Sequence, residues 1–308
     1  MKKDNGRGFY FARNDQGAGL AKRESITYLG PSMTTFSALA YEKSAELFGA
    51  PRIIDGEESL AEKNEEVLPL VVGHGGYGVI AMETEAEGRI GQNVNTFVNL
   101  LNNYQNTVDC KVKVIGAIRM PITFVFMVRP EILSINDITM LVAHRKALGA
   151  CKKRIKELGI KVVESDSNGK AAEDVATKSE FAQAAALGPR VAAEKNGLKV
   201  LEEAYAVTTF FSIGPKDHAS QNLSEVSRCL LVFRTKNEPE AIINALSPIS
   251  KAGLNLRHVR DYYVGNDQYD FATEIECRMD QVDDLSRAMG EASQHMLRHI
   301  LFGPFPVV

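Results

Sequence analysis

The sequence contains no tryptophan and only four cysteines, Cys110, Cys151, Cys229 and Cys277. They are scattered, with no Cys-x-x-Cys pair. A structural zinc site needs clustered Cys or His ligands, so this spacing offers none. The four cysteines read as small buried apolar side chains in a reducing compartment. Long apolar runs are also missing. The longest, Pro121 to Val128, falls far short of the ~20 residues a membrane helix needs. Lys2 and Lys3 have no apolar core behind them, so no secretion signal is expected. Charge of one sign is lacking too: 36 Lys and Arg stand against 39 Asp and Glu, for a net charge of -3 and a pI of about 6.1. Dedicated nucleic-acid binders usually carry a basic face and a high pI. These absences predict a cytoplasmic protein that engages neither membrane nor nucleic acid.

What is present is ordinary globular material. The 308 residues are 44% hydrophobic and 24% charged, enough for about two domains at ~150 residues each. Residues 1 to about 24 are polar and rich in Gly, Asn and Arg, and read as a flexible extension. Ser25 to Leu29 reads as a strand stopped by Gly30 and Pro31. Thr34 and Thr35 precede a helical apolar run from Phe36 to Phe48. Leu68–Val72 and Gly78–Met82 read as short buried strands, and Ile90–Leu101 as a helix. Val112–Ile118 and Ile122–Val128 read as two β runs. Leu141–His144 is a predicted strand and Arg145–Leu158 an amphipathic helix. Val162-Val163, a helix at Gly169–Thr177, one at Arg190–Asn196 and a strand at Thr208–Ile213 complete the series. Such alternation predicts an α/β fold with mostly parallel sheet, divided into two lobes.

Residues 215–226 are polar and turn-rich and read as a linker. The remainder, 227–308, follows the order βαββαβ: Ser227–Thr235, Pro239–Ala252, Asn255–Val264, Tyr269–Arg278, Gln281–Met296, Ile300–Phe305. That order is ferredoxin-like. His295 and His299 share a helical i, i+4 spacing but lack the Glu that a zinc-protease motif needs. Gly73-His74-Gly75-Gly76-Tyr77-Gly78 lacks the Lys and hydroxyl of a phosphate loop, and reads as a tight loop.

Taken in order, several segments resemble prephenate dehydratases. Tyr28-Leu29-Gly30-Pro31 followed by Thr35-Phe36-Ser37 is similar to the family's opening motif, with one residue inserted. Pro121-Ile122 and Arg129-Pro130 resemble its middle strand pair. His144, Ala147, Leu148 and Cys151 resemble its His-Pro-Gln-Ala-Leu-x-Gln-Cys segment, and Ser167, Ala171 and Ala172 its Ser-Thr-x-x-Ala-Ala helix start. Thr208-Thr209-Phe210 stands where the family has Thr-Arg-Phe. Residues 228–303 resemble its appended ACT domain. The resemblance implies a bilobal unit over 25–214, similar to periplasmic binding proteins, with prephenate in the interlobe cleft. It implies no cofactor, and a homodimer or homotetramer assembled through the ACT-like domain.

The departures point to altered chemistry. The family's Asn falls on Thr84, its Ser on Ala143, its Gln on Ala150 and its Arg on Thr209. Its phenylalanine-sensing Gly-Ala-Leu reads Glu240-Ala241-Ile242, and its Glu-Ser-Arg-Pro reads Arg260-Asp261-Tyr262-Tyr263. Missing polar groups of this kind are similar to non-aromatising prephenate decarboxylases, which remove only carbon dioxide. A true dehydratase and a non-catalytic sensor are the alternatives. The catalytic candidates are Glu83, His144 and Thr208. The substrate-binding candidates are Thr35, Ser37, Thr84, Arg119, Arg145, Thr209 and Phe210. For each a plainer role competes: Glu83 as a helix cap, Thr35 as an N-cap, His144 bonded to backbone, Arg119 in a salt bridge.

Overall fold

The structure is a computed structural model that describes residues 23–30, 35–85, 88–219 and 226–308. The expected N-terminal extension lies almost wholly outside the described residues, as does half of the expected linker.

The first lobe runs β1 (Ser25–Leu29), α1 (Phe36–Phe48), β2 (Glu57–Ala61), α2 (Asn64–His74), β3 (Tyr77–Thr84), β4 (Gly88–Arg89) and α3 (Gly91–Val98). A long strand, β5 (Val112–Val128), leads into the second lobe. That lobe comprises β6 (Met140–His144), α4 (Arg145–Ala150), α5 (Lys152–Leu158), β7 (Lys161–Ser165), α6 (Asn168–Thr177), β8 (Ala184–Gly188) and α7 (Arg190–Lys195). The chain returns along β9 (Lys199–Pro215). One nine-stranded sheet results, in the order β2-β1-β3-β9-β5-β8-β6-β7, with β4 on β3. Each lobe is a small parallel sheet. The antiparallel pair β5 and β9 joins them, passing from one lobe to the other.

Two expectations need correction. Leu68–Val72 is not a strand but part of α2. Its apolar run is too short for periodicity to separate strand from helix. Glu65 and Glu66 favour a helix start through the dipole, and Val67, Leu68 and Val71 form the buried stripe. The two β runs around Pro121 are a single strand, broken in sequence by exposed Arg119 and Pro121. Pro121 lies beyond the stretch where β8 pairs with β5, so its missing N–H meets a strand with one neighbour.

The C-terminal unit runs β10 (Val226–Arg234), α8 (Ala241–Lys251), β11 (Asn255–Gly265), β12 (Gln268–Arg278), α9 (Val282–Ala292) and β13 (Arg298–Pro306). Its antiparallel sheet has the order β11-β12-β10-β13, the ferredoxin-like arrangement. Helices α8 and α9 cover one face, over Leu231, Phe233 and Ile275. The other face packs on the first lobe. Phe302 meets Phe97 at 5.2 Å and Phe305 meets Phe211 at 4.9 Å, both edge-on. The chain then pairs with β5: Val308 donates to Ala117 O at 2.9 Å and its carbonyl accepts from Arg119 N–H at 2.7 Å.

Candidate active site

The site begins with strand register. Thr84 of β3 lies opposite Thr208 of β9, and Glu83 opposite Thr209. On the other side of β9, Met120 of β5 pairs with Thr208 and Arg119 with Thr209. Successive side chains of a strand face opposite sides, so these residues divide into two rows.

The front row holds Thr84, Thr208 and Met120. It shares its face with Phe210, Ile118, Ile122 and Phe124. These apolar side chains form one buried cluster with Ala38 and Tyr41 of the first lobe and with Ala143, Ala147 and Cys151 of the second. The two lobes meet on this face. Phe36, at the start of α1, touches Phe124 with ring centroids 6.0 Å apart. Thr208 itself is only 4% exposed. The residues 31–34 that join β1 to α1 lie outside the described set.

Two helices direct their N-terminal ends from the lobes, α1 from the end of β1 and α4 from the end of β6. Thr35 caps α1: its hydroxyl accepts from Ala38 N–H at 3.1 Å and donates to Leu29 O at 3.0 Å. Its only proton is thereby committed to the fold. Ser37, two residues on, is buried. His144 caps α4, its Nδ1 accepting from Lys146 N–H at 3.4 Å. A neutral imidazole held this way carries its proton on Nε2. The His144 backbone N–H donates to Asn168 Oδ1 at 3.1 Å. Asn168, the first residue of α6, was not singled out by sequence; only its place after the Ser167 cap hinted at it. Arg145 is exposed at the first position of α4. Cys151 is no nucleophile, since burial pushes its thiol up to about 11.

The rear row holds Glu83, Arg119 and Thr209. The structure therefore does not bring these three together with Thr84 and Thr208. They face the C-terminal unit, where they line a cavity of about 240 Å³ with Arg228 and Arg257. Glu83 Oε1 lies 3.8 Å from His258 Nε2. Among the described residues, no group of three His, Cys, Asp or Glu side chains is placed to hold a metal ion, and no helix is long and apolar enough to cross a membrane.

Two parallel half-sheets joined by crossing antiparallel strands define a bilobal α/β unit. Residues 26–217 match the family model for prephenate dehydratase, and the chain belongs to that family. It is 26% identical over 247 residues to a bifunctional chorismate mutase/prephenate dehydratase of Aquifex aeolicus (strain VF5), covering 78% of this chain and 61% of that one. The chain thus spans under two thirds of that relative's length. It is 23% identical over 280 residues to the prephenate dehydratase of Methanocaldococcus jannaschii, covering 89% and 95% of the two chains. The crystal structure of an Arthrobacter aurescens prephenate dehydratase in complex with L-Phe superposes with a TM-score of 0.67. It is 18% identical and covers 92% of this chain and 89% of that one. At that identity the likeness shows the fold.

Proposed function

We propose that the protein is a lyase acting on prephenate at the front face, removing carbon dioxide without expelling the ring hydroxyl. The observation that carries this reading is the composition of that face. Its polar groups include Thr84 and Thr208, and His144 stands at the end of β6 next to Ala143. Around them stand Ala143, Met120 and Phe210, all buried. The resemblance gives Asn, Ser and Gln to the positions held here by Thr84, Ala143 and Ala150. Both routes begin when the bond from the ring to its carboxylate breaks and its electron pair enters the ring. In dehydration that pair drives out the hydroxyl, which leaves as water and needs a proton at oxygen. In decarboxylation alone the pair takes a proton at a ring carbon and the hydroxyl stays. A face with few donors favours the second outcome. His144 Nε2–H and the Thr208 hydroxyl are the proton-bearing groups, Thr84 and Ser37 contact the substrate, Phe210 supports the floor, and Arg145 attracts a carboxylate.

Glu83, Arg119 and Thr209 have no part in this reading, because they face away. The C-terminal unit is read as an ACT-like domain, joined by the linker around residues 215–226 and pairing an edge strand with a second copy. Glu240 keeps the left-handed conformation, φ 65°, that suits the family's Gly. The changed side chains there and at Arg260 to Tyr263 predict little response to phenylalanine.

The deciding experiment is NMR of the product after incubation with prephenate. A non-aromatic product that keeps the hydroxyl is expected. Stoichiometric phenylpyruvate would establish a dehydratase instead, and binding without turnover a sensor. Thr84→Asn combined with Ala150→Gln should raise the aromatic fraction.

A further inference from the structure

His144 is the last residue of β6 and the cap of α4. Strand β6 is flanked on both sides only as far as Val142, where its pairing with β8 ends. Beyond that point β7 alone continues, with His144 opposite Ser165. A strand end with one neighbour leaves backbone groups that need another partner. For the His144 N–H that partner is a side chain, Asn168 Oδ1 at 3.1 Å. Only the oxygen of an amide can accept, so this bond also fixes which way the Asn168 amide is turned.

Asn168 is itself anchored. It opens α6 directly after the Ser167 cap, whose hydroxyl accepts from Lys170 N–H at 3.0 Å. Its side chain is half-buried. It lies against Gly188, the last residue of β8, where a Cβ would come 3.0 Å from Asn168 Cβ. The ring of His144 has one other hold. Its Nδ1 accepts from Lys146 N–H at 3.4 Å, beyond the ~2.7–3.2 Å usual for such bonds. A bond of that length does not by itself fix a half-buried side chain at a strand end. The backbone beneath the ring, φ −67° and ψ 143°, sets where the ring starts, and Asn168 holds that backbone.

We propose that Asn168 is a positioning residue for His144. Its Oδ1 holds the end of β6, so that the imidazole keeps Nδ1 on the Lys146 amide and its proton on Nε2. This rests on the reading that gives His144 a proton-bearing role at the front face. Asn168 acts through His144 and needs no contact with the substrate. Without its oxygen the His144 N–H loses its partner, an unfavourable state that the strand end relieves by moving, and the ring moves with it. A displacement of about 1 Å at a reacting group costs on the order of 10²-fold in rate.

The test has two arms. The first is 15N NMR of the imidazoles in the unliganded full chain at about pH 8, above the ordinary histidine value of ~6.5, with His144→Gln to assign the signal. Wild-type His144 should show a single neutral form with its proton on Nε2. Asn168→Leu keeps the volume but deletes the acceptor, and should give a mixture of both neutral forms. Asn168→Asp keeps the acceptor and should restore the single form. Gly188→Ala pushes on Asn168 without altering its amide, and should give the mixture in smaller degree. The second arm is prephenate turnover. Asn168→Leu should lower kcat by roughly 10- to 100-fold with KM little changed, and Asn168→Asp should recover most of the loss. A mixed or Nδ1-protonated ring in the wild type would overturn the proposal. So would a ring signal left unchanged in both Asn168→Leu and Gly188→Ala, or an Asn168→Asp variant no better than Asn168→Leu. A loss confined to KM would also overturn it and make Asn168 a substrate contact. Phenylpyruvate as product, or binding without turnover, would sink the reading of the front face, and the ring measurement would still decide whether Asn168 positions His144.

Discussion

Thr208 and Thr209 are adjacent, chemically identical and both buried, yet they face opposite sides of one strand. Their separation makes the proposed site testable at single residues. Thr208→Val keeps shape and burial but deletes the hydroxyl. Prephenate consumption should fall by roughly 10²–10⁴-fold if that hydroxyl moves a proton. Thr209→Val should leave turnover close to wild type, since its side chain faces Arg119 and the C-terminal unit. Equal losses in both variants would end the assignment of the front row. Glu240 allows an independent check of the backbone. It is held at φ 65° with no side-chain cap bond to α8. A left-handed non-glycine residue costs about 1–2 kcal/mol. Glu240→Gly should therefore raise stability by about 1 kcal/mol in urea unfolding; a decrease would mean that the Glu240 side chain holds the turn.

Among the elements, strands and helices with clean periodicity were legible from sequence. The C-terminal βαββαβ order was readable because each element has its own turn signal. Asn266 and Asp267, for example, both take positive φ, 51° and 53°, between β11 and β12. Helix α2 was misread because its buried stripe is only Val67, Leu68 and Val71. The long β5 was misread because Arg119 and Pro121 interrupt its apolar pattern where it crosses between lobes. Strand β2, Glu57–Ala61, gave no signal at all: it is an exposed sheet edge of mostly polar residues. For the site, sequence supplied the residues but not their faces. The register shift between Ala81 and Glu83 decides which of Glu83 and Thr84 looks forward, and a bulge of this kind has no marker in a single sequence. The packing of β5 on α1 gives a further prediction. A Cβ at Gly116 would lie 2.2 Å from Phe48 Cζ, in a ring only 3% exposed. Gly116→Ala should cost about 1–3 kcal/mol through overpacking, measured by urea unfolding. Gly116→Ala with Phe48→Leu should recover part of that loss; no recovery would show that Phe48 is not the obstacle.

At the scale of the whole molecule, the junction between the first lobe and the C-terminal unit is where charge is buried. Arg89 and Glu274 are joined there, and Arg228 and Arg257 stand beside Glu274 and Glu276. Two histidines sit on this junction. Burial holds His258 below its ordinary value of 6.5, and Arg89 adds to the effect, against the pull of Glu83 and Glu274. Burial does the same to His299, whose backbone N–H donates to Gln105 O of the first lobe. A histidine depressed in the folded state stays neutral there while the unfolded chain takes up a proton. Its contribution is complete above pH 6.5 and is lost as pH falls below that value toward the folded one. Glu276, where burial is outweighed by hydrogen bonds from Arg257 and Asn255 together with the charges of Arg257 and Arg228, acts in a separate window, below its ordinary value of 4.5. Stability should therefore decline between roughly pH 6.5 and 5, before the carboxylates begin to titrate. His258→Asn tolerates the positive φ of 53° found at that position and cannot titrate. It should flatten the decline, and His258→Asn with His299→Gln should flatten it further. Urea unfolding at pH 7.5, 6.5 and 5.5 measures the slope. Wild-type stability that is level across this range, or a slope unchanged in the double variant, would show that the junction does not take up these protons.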